Sequence, residues 1–94
     1  MFRNVVLTMS ATIEIYTWST CPFCVKAKRL LDSKGAKYTE YCLDGDEAGR
    51  TKMAARSGGS KSVPQIFVND QHLGGCDSIH ALDRQGKLDV LLAG

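Results

Sequence analysis

A regular pattern of apolar and polar residues first appears in the chain at residue 12. In residues 12–18, Ile13 and Ile15 lie on one face of an extended chain, and Glu14 and Tyr16 lie on the other. Alternation with a period of two is typical of a β-strand. We therefore predict the first strand of the fold at this position.

A helical period replaces this alternation a few residues later. Cys24, Ala27 and Leu31 share one face of a helix that begins at Pro22, in the first helical position that proline favours. We expect the helix to end near residue 33. Gly35 supports this boundary, because glycine commonly stands just past a helix end.

Turn residues and side-chain preferences predict the other elements. They are a second strand at 37–43, a second helix at 48–57, a third strand at 65–68, a fourth strand at 72–74 and a last helix from 77 to about 86. The predicted order is β-α-β-α-β-β-α. Its first half implies a right-handed parallel crossover, and its second half supplies an antiparallel hairpin. These units predict an α/β fold with a four-stranded mixed sheet flanked by helices.

Composition limits the domain organisation and the function. The 94 residues are 44% hydrophobic and 23% charged with a net charge of +2, which suits one small domain. We expect that domain at residues 11–94 and a disordered leader at residues 1–10. The small net charge argues against nucleic acid as a partner, and no stretch approaches the roughly 18 apolar residues of a membrane span. Because residues 1–10 lack an export signal, we expect a cytoplasmic protein. We also expect a monomer that does not bind membranes.

Four cysteines carry the candidate chemistry: Cys21, Cys24, Cys42 and Cys76. Lasting structural disulfides are not expected in a reducing compartment. A zinc site would need a second close pair of ligands, and neither the other two cysteines nor His72 and His80 provide one. Cys21 and Cys24 both lie at the start of the predicted first helix, where we expect Cys21 to face solvent and Cys24 to lie behind it.

A redox role would require an ionised sulfur. Only the thiolate attacks a disulfide, and a free cysteine has a pKa of about 8.5. Lowering that pKa to about 5 costs about 4.8 kcal/mol, whereas a helix dipole supplies at most about 2 kcal/mol. We therefore expect the N–H groups of Phe23 and Cys24 to stabilise the sulfur of Cys21, with help from Lys26 or Lys28. Residues 22–37 hold five basic side chains and one acidic one, which would suit an anionic substrate or merely a solvated helix face.

Three motifs in this order and spacing identify a family that the chain resembles. They are CPFC at 21–24, SVPQIFV at 62–68 and GGCDS at 74–78. With them the chain resembles the glutaredoxins, specifically the dithiol class with Cys-Pro-aromatic-Cys, over essentially residues 11–93. The resemblance implies a thioredoxin fold and glutathione as the reducing cosubstrate. We expect no metal, because the zinc pattern is missing.

The resemblance also implies roles for individual residues. Cys21 would be the nucleophile, Cys24 the resolving thiol and Val63-Pro64 a cis peptide. A glutathione site would be formed by Val63, Pro64, Gly75, Cys76, Asp77, Ser78, Lys26, Trp18 and Arg50. The backbone of Val63 would pair with glutathione, and the N–H groups that open the last helix would receive its γ-glutamyl carboxylate. Asp77 could instead cap that helix.

The chain departs from the family at two places in this site. Trp18 stands where many relatives carry a lysine for the glycyl carboxylate of glutathione, so Lys26 or Arg50 would have to replace that charge. Trp18 itself could pack at the sheet edge or form a wall beside the substrate. Ser78 stands where relatives often have a second aspartate. We interpret Cys42 as a small buried strand residue.

The predicted function is a glutathione-dependent thiol-disulfide oxidoreductase. It would reduce glutathione mixed disulfides through Cys21 alone and protein disulfides through Cys21 and Cys24, so its partners would be glutathionylated or disulfide-containing proteins. The alternative is a glutathione-ligated iron-sulfur cluster carrier. Pro22 argues against that alternative, because it stiffens the loop where relatives of that type carry a small residue.

Overall fold

The structure, a computed structural model, describes residues 11–94, so the predicted leader at 1–10 lies outside the described residues. The elements are β1 (Ile13–Thr17), α1 (Pro22–Ser33), β2 (Thr39–Cys42), α2 (Glu47–Arg56), β3 (Gln65–Val68), β4 (Gln71–Gly74), α3 (Cys76–Arg84) and α4 (Leu88–Leu92). Within residues 11–94, no helix is long and apolar enough to cross a membrane.

The four strands form one mixed sheet in the order β2-β1-β3-β4. β1 pairs in parallel with β2 and antiparallel with β3, and β4 pairs antiparallel with β3. This arrangement confirms the predicted sheet and its hairpin. Ile13 and Ile15 face one apolar cluster together with residues of α1 and α3. Tyr16 faces a second cluster with Met53 of α2 and Phe67 of β3, so both faces of the central strands are covered.

Helix α1 begins and ends where the sequence predicts. Cys21 is its N-cap, and Pro22 is its first residue. At the other end the backbone of Gly35 has φ +70°, and its N–H donates to the carbonyl oxygen of Asp32 at 3.0 Å. Helix α1 therefore has a fixed start, which sets the position of the two cysteines.

Helix α4 is absent from the predicted element order. It has five residues and no side-chain cap, so local sequence does not favour it. Its stability comes from packing, because Leu88 and Leu92 are fully buried. Lys34 adds a link, since its Nζ lies 2.6 Å from a carboxylate oxygen of Asp83 and 3.0 Å from one of Asp89.

A polar network joins α2 to the sheet. Arg56 donates two hydrogen bonds to the carboxylate of Glu14, at 2.9 and 3.2 Å, and one to the hydroxyl of Tyr16 at 3.0 Å. Its guanidinium also lies 4.0 Å from the ring centroid of Phe67. The bonds from Arg56 lower the pKa of Glu14 below 4.5, against the opposing effect of burial.

We expect Arg56→Met to lower the free energy of unfolding by about 1–3 kcal/mol at neutral pH. This loss lies between those found for breaking exposed salt bridges and for breaking buried ones. Because Glu14 has a lowered pKa in the folded state, the stability that it gains from Arg56 is complete above 4.5 and is lost as pH falls through the lower folded pKa. Denaturant unfolding at several pH values would test this. The difference between wild type and Arg56→Met should shrink below pH 4.5, whereas the control Lys37→Met, at an exposed position that does not act on Glu14, should show little difference. Equal pH profiles for both variants would contradict the assignment.

Candidate active site

Cys21 and Cys24 form a disulfide at the start of α1, with their Cα atoms 5.2 Å apart. Cys21 is 8% exposed and Cys24 is 1% exposed. The predicted order of exposure is therefore confirmed, but the expectation that Cys21 faces solvent is wrong for this disulfide form. The physical reason is that Cys21, as the N-cap, folds its side chain back over the first helical turn.

The polar groups around the Cys21 sulfur match the sequence expectation in part. The N–H of Cys24 lies 3.1 Å from Sγ of Cys21 and points at it. Lys28 does not serve the sulfur, because its Nζ pairs with the Glu40 carboxylate at 3.0 Å. The Glu40 carboxylate also accepts a hydrogen bond from the hydroxyl of Thr17, and these bonds lower the pKa of Glu40. Of the two predicted lysines, Lys26 alone has no acidic partner within residues 11–94.

A groove lies directly beside the disulfide. Sγ of Cys21 is 4.0 Å from the carbonyl oxygen of Val63, and the Val63-Pro64 bond is cis, as the resemblance implies. The groove encloses about 200 Å³. Its lining residues are Phe23, Ser62, Val63, Pro64, Gly75, Cys76, Asp77 and Ser78. Six of the nine residues predicted for glutathione thus line one groove, while Phe23 and Ser62 are additions that lie within two of the quoted motifs.

The first turn of α3 forms one wall of this groove. Its N-cap is Gly75, and no side chain caps the helix, so the alternative that Asp77 serves as the cap is wrong. Gly74 has φ +105°, a conformation that side chains disfavour. A Cβ on Gly75 would lie 3.2 Å from the carbonyl oxygen of Pro64. The two glycines therefore allow the open helix end to approach the cis-proline loop.

Trp18, Arg50 and Lys26 lie outside the lining of this groove. The structure brings two of them together, because the guanidinium of Arg50 lies 4.7 Å from the ring centroid of Trp18. Trp18 also packs, together with Val63, against the apolar cluster that contains Tyr16. Trp18 thus combines packing against this cluster with a contact to a cation. It follows β1, a central strand, so it does not lie at an edge of the sheet.

The other two cysteines are free thiols. Cys42 is exposed, so its interpretation as a buried residue is wrong. Within residues 11–94, β2 is an edge strand with no neighbour on its outer side. Cys76 is buried in the wall of the groove, and burial raises its pKa. A thiol with a raised pKa is mostly protonated at neutral pH, so Cys76 is poorly suited to act as a nucleophile.

A pair of cysteines in a Cys-x-x-Cys spacing, at the start of the first helix of a four-stranded mixed sheet, defines a thiol-disulfide oxidoreductase of the thioredoxin fold. A family model described as glutaredoxin matches residues 13–73. The chain is 62% identical to a probable glutaredoxin of Synechocystis sp. over 86 residues, which cover 92% of this chain and 98% of that protein. It is 54% identical to glutaredoxin 3 of Escherichia coli, with 87% of this chain and 98% of that protein covered.

Solved structures agree with the sequence matches. A buckwheat glutaredoxin in complex with glutathione superposes with a TM-score of 0.79 at 31% identity, covering 89% of this chain and 78% of that one. The solution structure of glutaredoxin from Brucella melitensis gives a TM-score of 0.77 at 44% identity, covering 87% and 88%. The chain belongs to the glutaredoxin family and is a glutathione-dependent thiol-disulfide oxidoreductase.

None of these findings favours the iron-sulfur alternative. Within the part of the chain that the structure describes, no group of three or more His, Cys, Asp or Glu side chains could hold a metal ion.

Proposed function

We propose that the protein reduces glutathione mixed disulfides through Cys21 alone and protein disulfides through Cys21 and Cys24 together. The observation that carries this proposal is the position of the Cys21–Cys24 disulfide at the edge of the groove, 4.0 Å from the carbonyl oxygen of Val63. The less exposed sulfur, Cys24, lies behind the more exposed one. That order suits an attacking thiol and a resolving thiol.

The groove supplies the groups that a γ-glutamyl tripeptide needs. Pro64 has no N–H of its own, so the backbone N–H and C=O of Val63 would pair with the extended glutathione chain, as an added strand pairs with a sheet edge. The N–H groups of Cys76 and Asp77 start α3 without a side-chain cap, so they are available to the γ-glutamyl carboxylate. The carboxylate of Asp77 would hold the ammonium group, with Ser78 as a neutral neighbour.

The monothiol branch needs one cysteine of the protein. The Cys21 thiolate attacks the glutathione sulfur of a mixed disulfide, which forms a Cys21–glutathione disulfide and releases the target as a thiolate. A second glutathione thiolate then attacks the glutathione sulfur of that intermediate. The products are glutathione disulfide and the Cys21 thiolate, which is ready for another cycle.

The dithiol branch uses both cysteines. Cys21 attacks a protein disulfide and forms a mixed disulfide, and the thiolate of Cys24 then attacks the Cys21 sulfur and releases the target as a dithiol. The resulting Cys21–Cys24 disulfide is the form that the structure shows. Two glutathione molecules reduce it and leave as glutathione disulfide.

Arg50 is the cation that we propose for the glycyl carboxylate of glutathione. Its stacking against Trp18, with 4.7 Å between guanidinium carbon and ring centroid, holds an otherwise flexible side chain near the loop that precedes Cys21. Trp18 therefore occupies the lysine position of the relatives without carrying the charge itself. Burial raises the pKa of Cys76, and the charge of Lys26 acts against that effect by lowering it.

We propose further that the protein acts as a monomer in the cytoplasm on glutathionylated and disulfide-containing proteins. Two free thiols, Cys42 and Cys76, support this placement, because proteins of oxidising compartments rarely keep exposed thiols such as that of Cys42.

The proposed function is tested by a glutathione-coupled assay that contains the mixed disulfide of glutathione and 2-mercaptoethanol as substrate. We expect the wild-type protein to accelerate the reduction well above the rate with glutathione alone, with saturation by the mixed disulfide. A rate equal to that of the uncatalysed exchange would contradict the proposal.

The cation assignment is tested in the same assay by Arg50→Gln and Lys26→Gln. We expect Arg50→Gln to raise the KM for glutathione about 5- to 20-fold with a smaller change in kcat, because one charged contact to a bound carboxylate is lost. Lys26→Gln should raise this KM less. A larger increase of KM in Lys26→Gln would transfer the role to Lys26.

A further inference from the structure

The exposed face of α1 adjoins the disulfide and combines apolar with cationic side chains. Pro22, Val25, Lys26 and Arg29 are spaced so that they share one side of the helix, and all four are exposed. Phe23, which is 59% exposed, lies beside them and also lines the groove. We refer to these five residues as the α1 face.

The apolar part of the α1 face is not explained by the fold. Among residues 11–94, four large apolar side chains are exposed, and two of them, Phe23 and Val25, flank the buried Cys24 in sequence. Exposed apolar side chains that cluster next to a reactive group are typical of contact surfaces. Core residues of α1 such as Ala27 and Leu31 face the opposite way, so the helix would fold without an apolar outer face.

The charges of the α1 face are also unpaired. Lys28 is bound to Glu40, and the Asp32 carboxylate accepts a hydrogen bond from the hydroxyl of Tyr38. Lys26 and Arg29, in contrast, have no acidic partner within residues 11–94. Two positive charges therefore lie beside the apolar residues, on the helix that begins at the disulfide.

We propose that the α1 face binds the substrate protein and selects segments in which the disulfide-bonded or glutathionylated cysteine is flanked by acidic and apolar residues. The inference rests on the proposed function, because the α1 face is continuous with Cys21 through Phe23 and with the groove that would hold glutathione. When glutathione occupies the groove, the polypeptide of the target protein must contact a different surface next to the reacting sulfur. The α1 face is adjacent, and unpaired cations there raise the rate of encounter with an acidic segment.

Arg29 and Val25 are the residues to change, because neither belongs to the proposed glutathione site. The substrates are two glutathionylated peptides of equal length, one with aspartate and leucine around the cysteine and one with lysine and serine. The mixed disulfide of glutathione and 2-mercaptoethanol is the small reference substrate. Arg84→Glu, at an exposed position in the last turn of α3, makes the same charge change away from the α1 face.

We expect the wild-type protein to prefer the acidic peptide over the basic one. Arg29→Glu should lower kcat/KM for the acidic peptide about 3- to 10-fold, raise it for the basic peptide and leave the small substrate unchanged. The effect should weaken at about 1 M salt, where charges are screened within about 3 Å. Val25→Ser should lower kcat/KM for the acidic peptide, because it removes the apolar side chain that would contact the leucine of that peptide. It should leave kcat/KM for the small substrate unchanged.

If the wild-type protein turns over the small substrate but shows equal kcat/KM for the two peptides, this inference is overturned and the proposed function remains intact. Equal effects of Arg29→Glu and Arg84→Glu would also overturn it, because they would show a response to net charge alone. Failure of the wild-type protein to turn over the small substrate would instead overturn the proposed function and this inference with it.

Discussion

Replacing Cys21 by serine is expected to remove the reduction of both glutathione mixed disulfides and protein disulfides, with a loss on the order of a thousandfold or more. Both proposed branches begin with attack by the Cys21 sulfur, and a serine hydroxyl is neither ionised nor a good leaving group at neutral pH. The coupled assay with a small mixed disulfide and with a disulfide-containing protein measures both losses. Circular dichroism verifies that the variant is folded.

Cys42→Ser is the matched control for this prediction. It removes an exposed thiol from the edge strand β2, away from the groove, and should retain both activities. Mixed-disulfide reduction that survives in Cys21→Ser would show that another cysteine is the nucleophile.

Cys24→Ser is expected to separate the two branches. It should keep most of the reduction of glutathione mixed disulfides, because that branch needs Cys21 and free glutathione only. It should lose most of the reduction of protein disulfides, by about a hundredfold or more, since no second thiol releases the mixed intermediate. Trapping of a covalent complex between the variant and its protein substrate, seen on a non-reducing gel, is the accompanying observation.

Cys76→Ser controls for the loss of a buried thiol near the groove, and we expect it to leave the ratio of the two activities unchanged. Equal loss of both activities in Cys24→Ser would contradict the role of Cys24 as the resolving thiol and would indicate that it supports the site in another way.

The sequence predicts the elements with strong local signals. Helix α1 has the predicted bounds because Pro22 and Gly35 mark its ends, and β3 spans the predicted residues because its apolar run is bounded by a proline and a turn. Helix α4 has no such markers. It depends on the burial of Leu88 and Leu92, which no local pattern reveals.

The periodicity of apolar and polar residues does not predict contacts between residues that are far apart in sequence. Arg56 and Glu14 are 42 positions apart, so neither helical nor strand periodicity relates them. The burial of Cys42 is mispredicted for a similar reason: whether a strand lies at the edge of a sheet depends on the final strand order.

The candidate site is predictable where a motif is contiguous. The six predicted residues that line the groove fall within two short motifs, because each motif forms one tight turn or helix start: Val63, Pro64, Gly75, Cys76, Asp77 and Ser78. Trp18 and Arg50 were identifiable singly, but their stacking follows only from the packing of α2 beside the loop after β1. The low exposure of Cys21 likewise reflects an N-cap geometry that spacing alone does not fix.

The central claim is that the reduced protein holds the Cys21 sulfur as an anion with the help of the Cys24 amide, which already points at that sulfur at 3.1 Å. The direct measurement is the pH titration of thiolate absorbance in the reduced protein, taken as the difference between wild type and Cys21→Ser. We predict a pKa for Cys21 below the free value of about 8.5. A pKa at or above that free value would contradict the account.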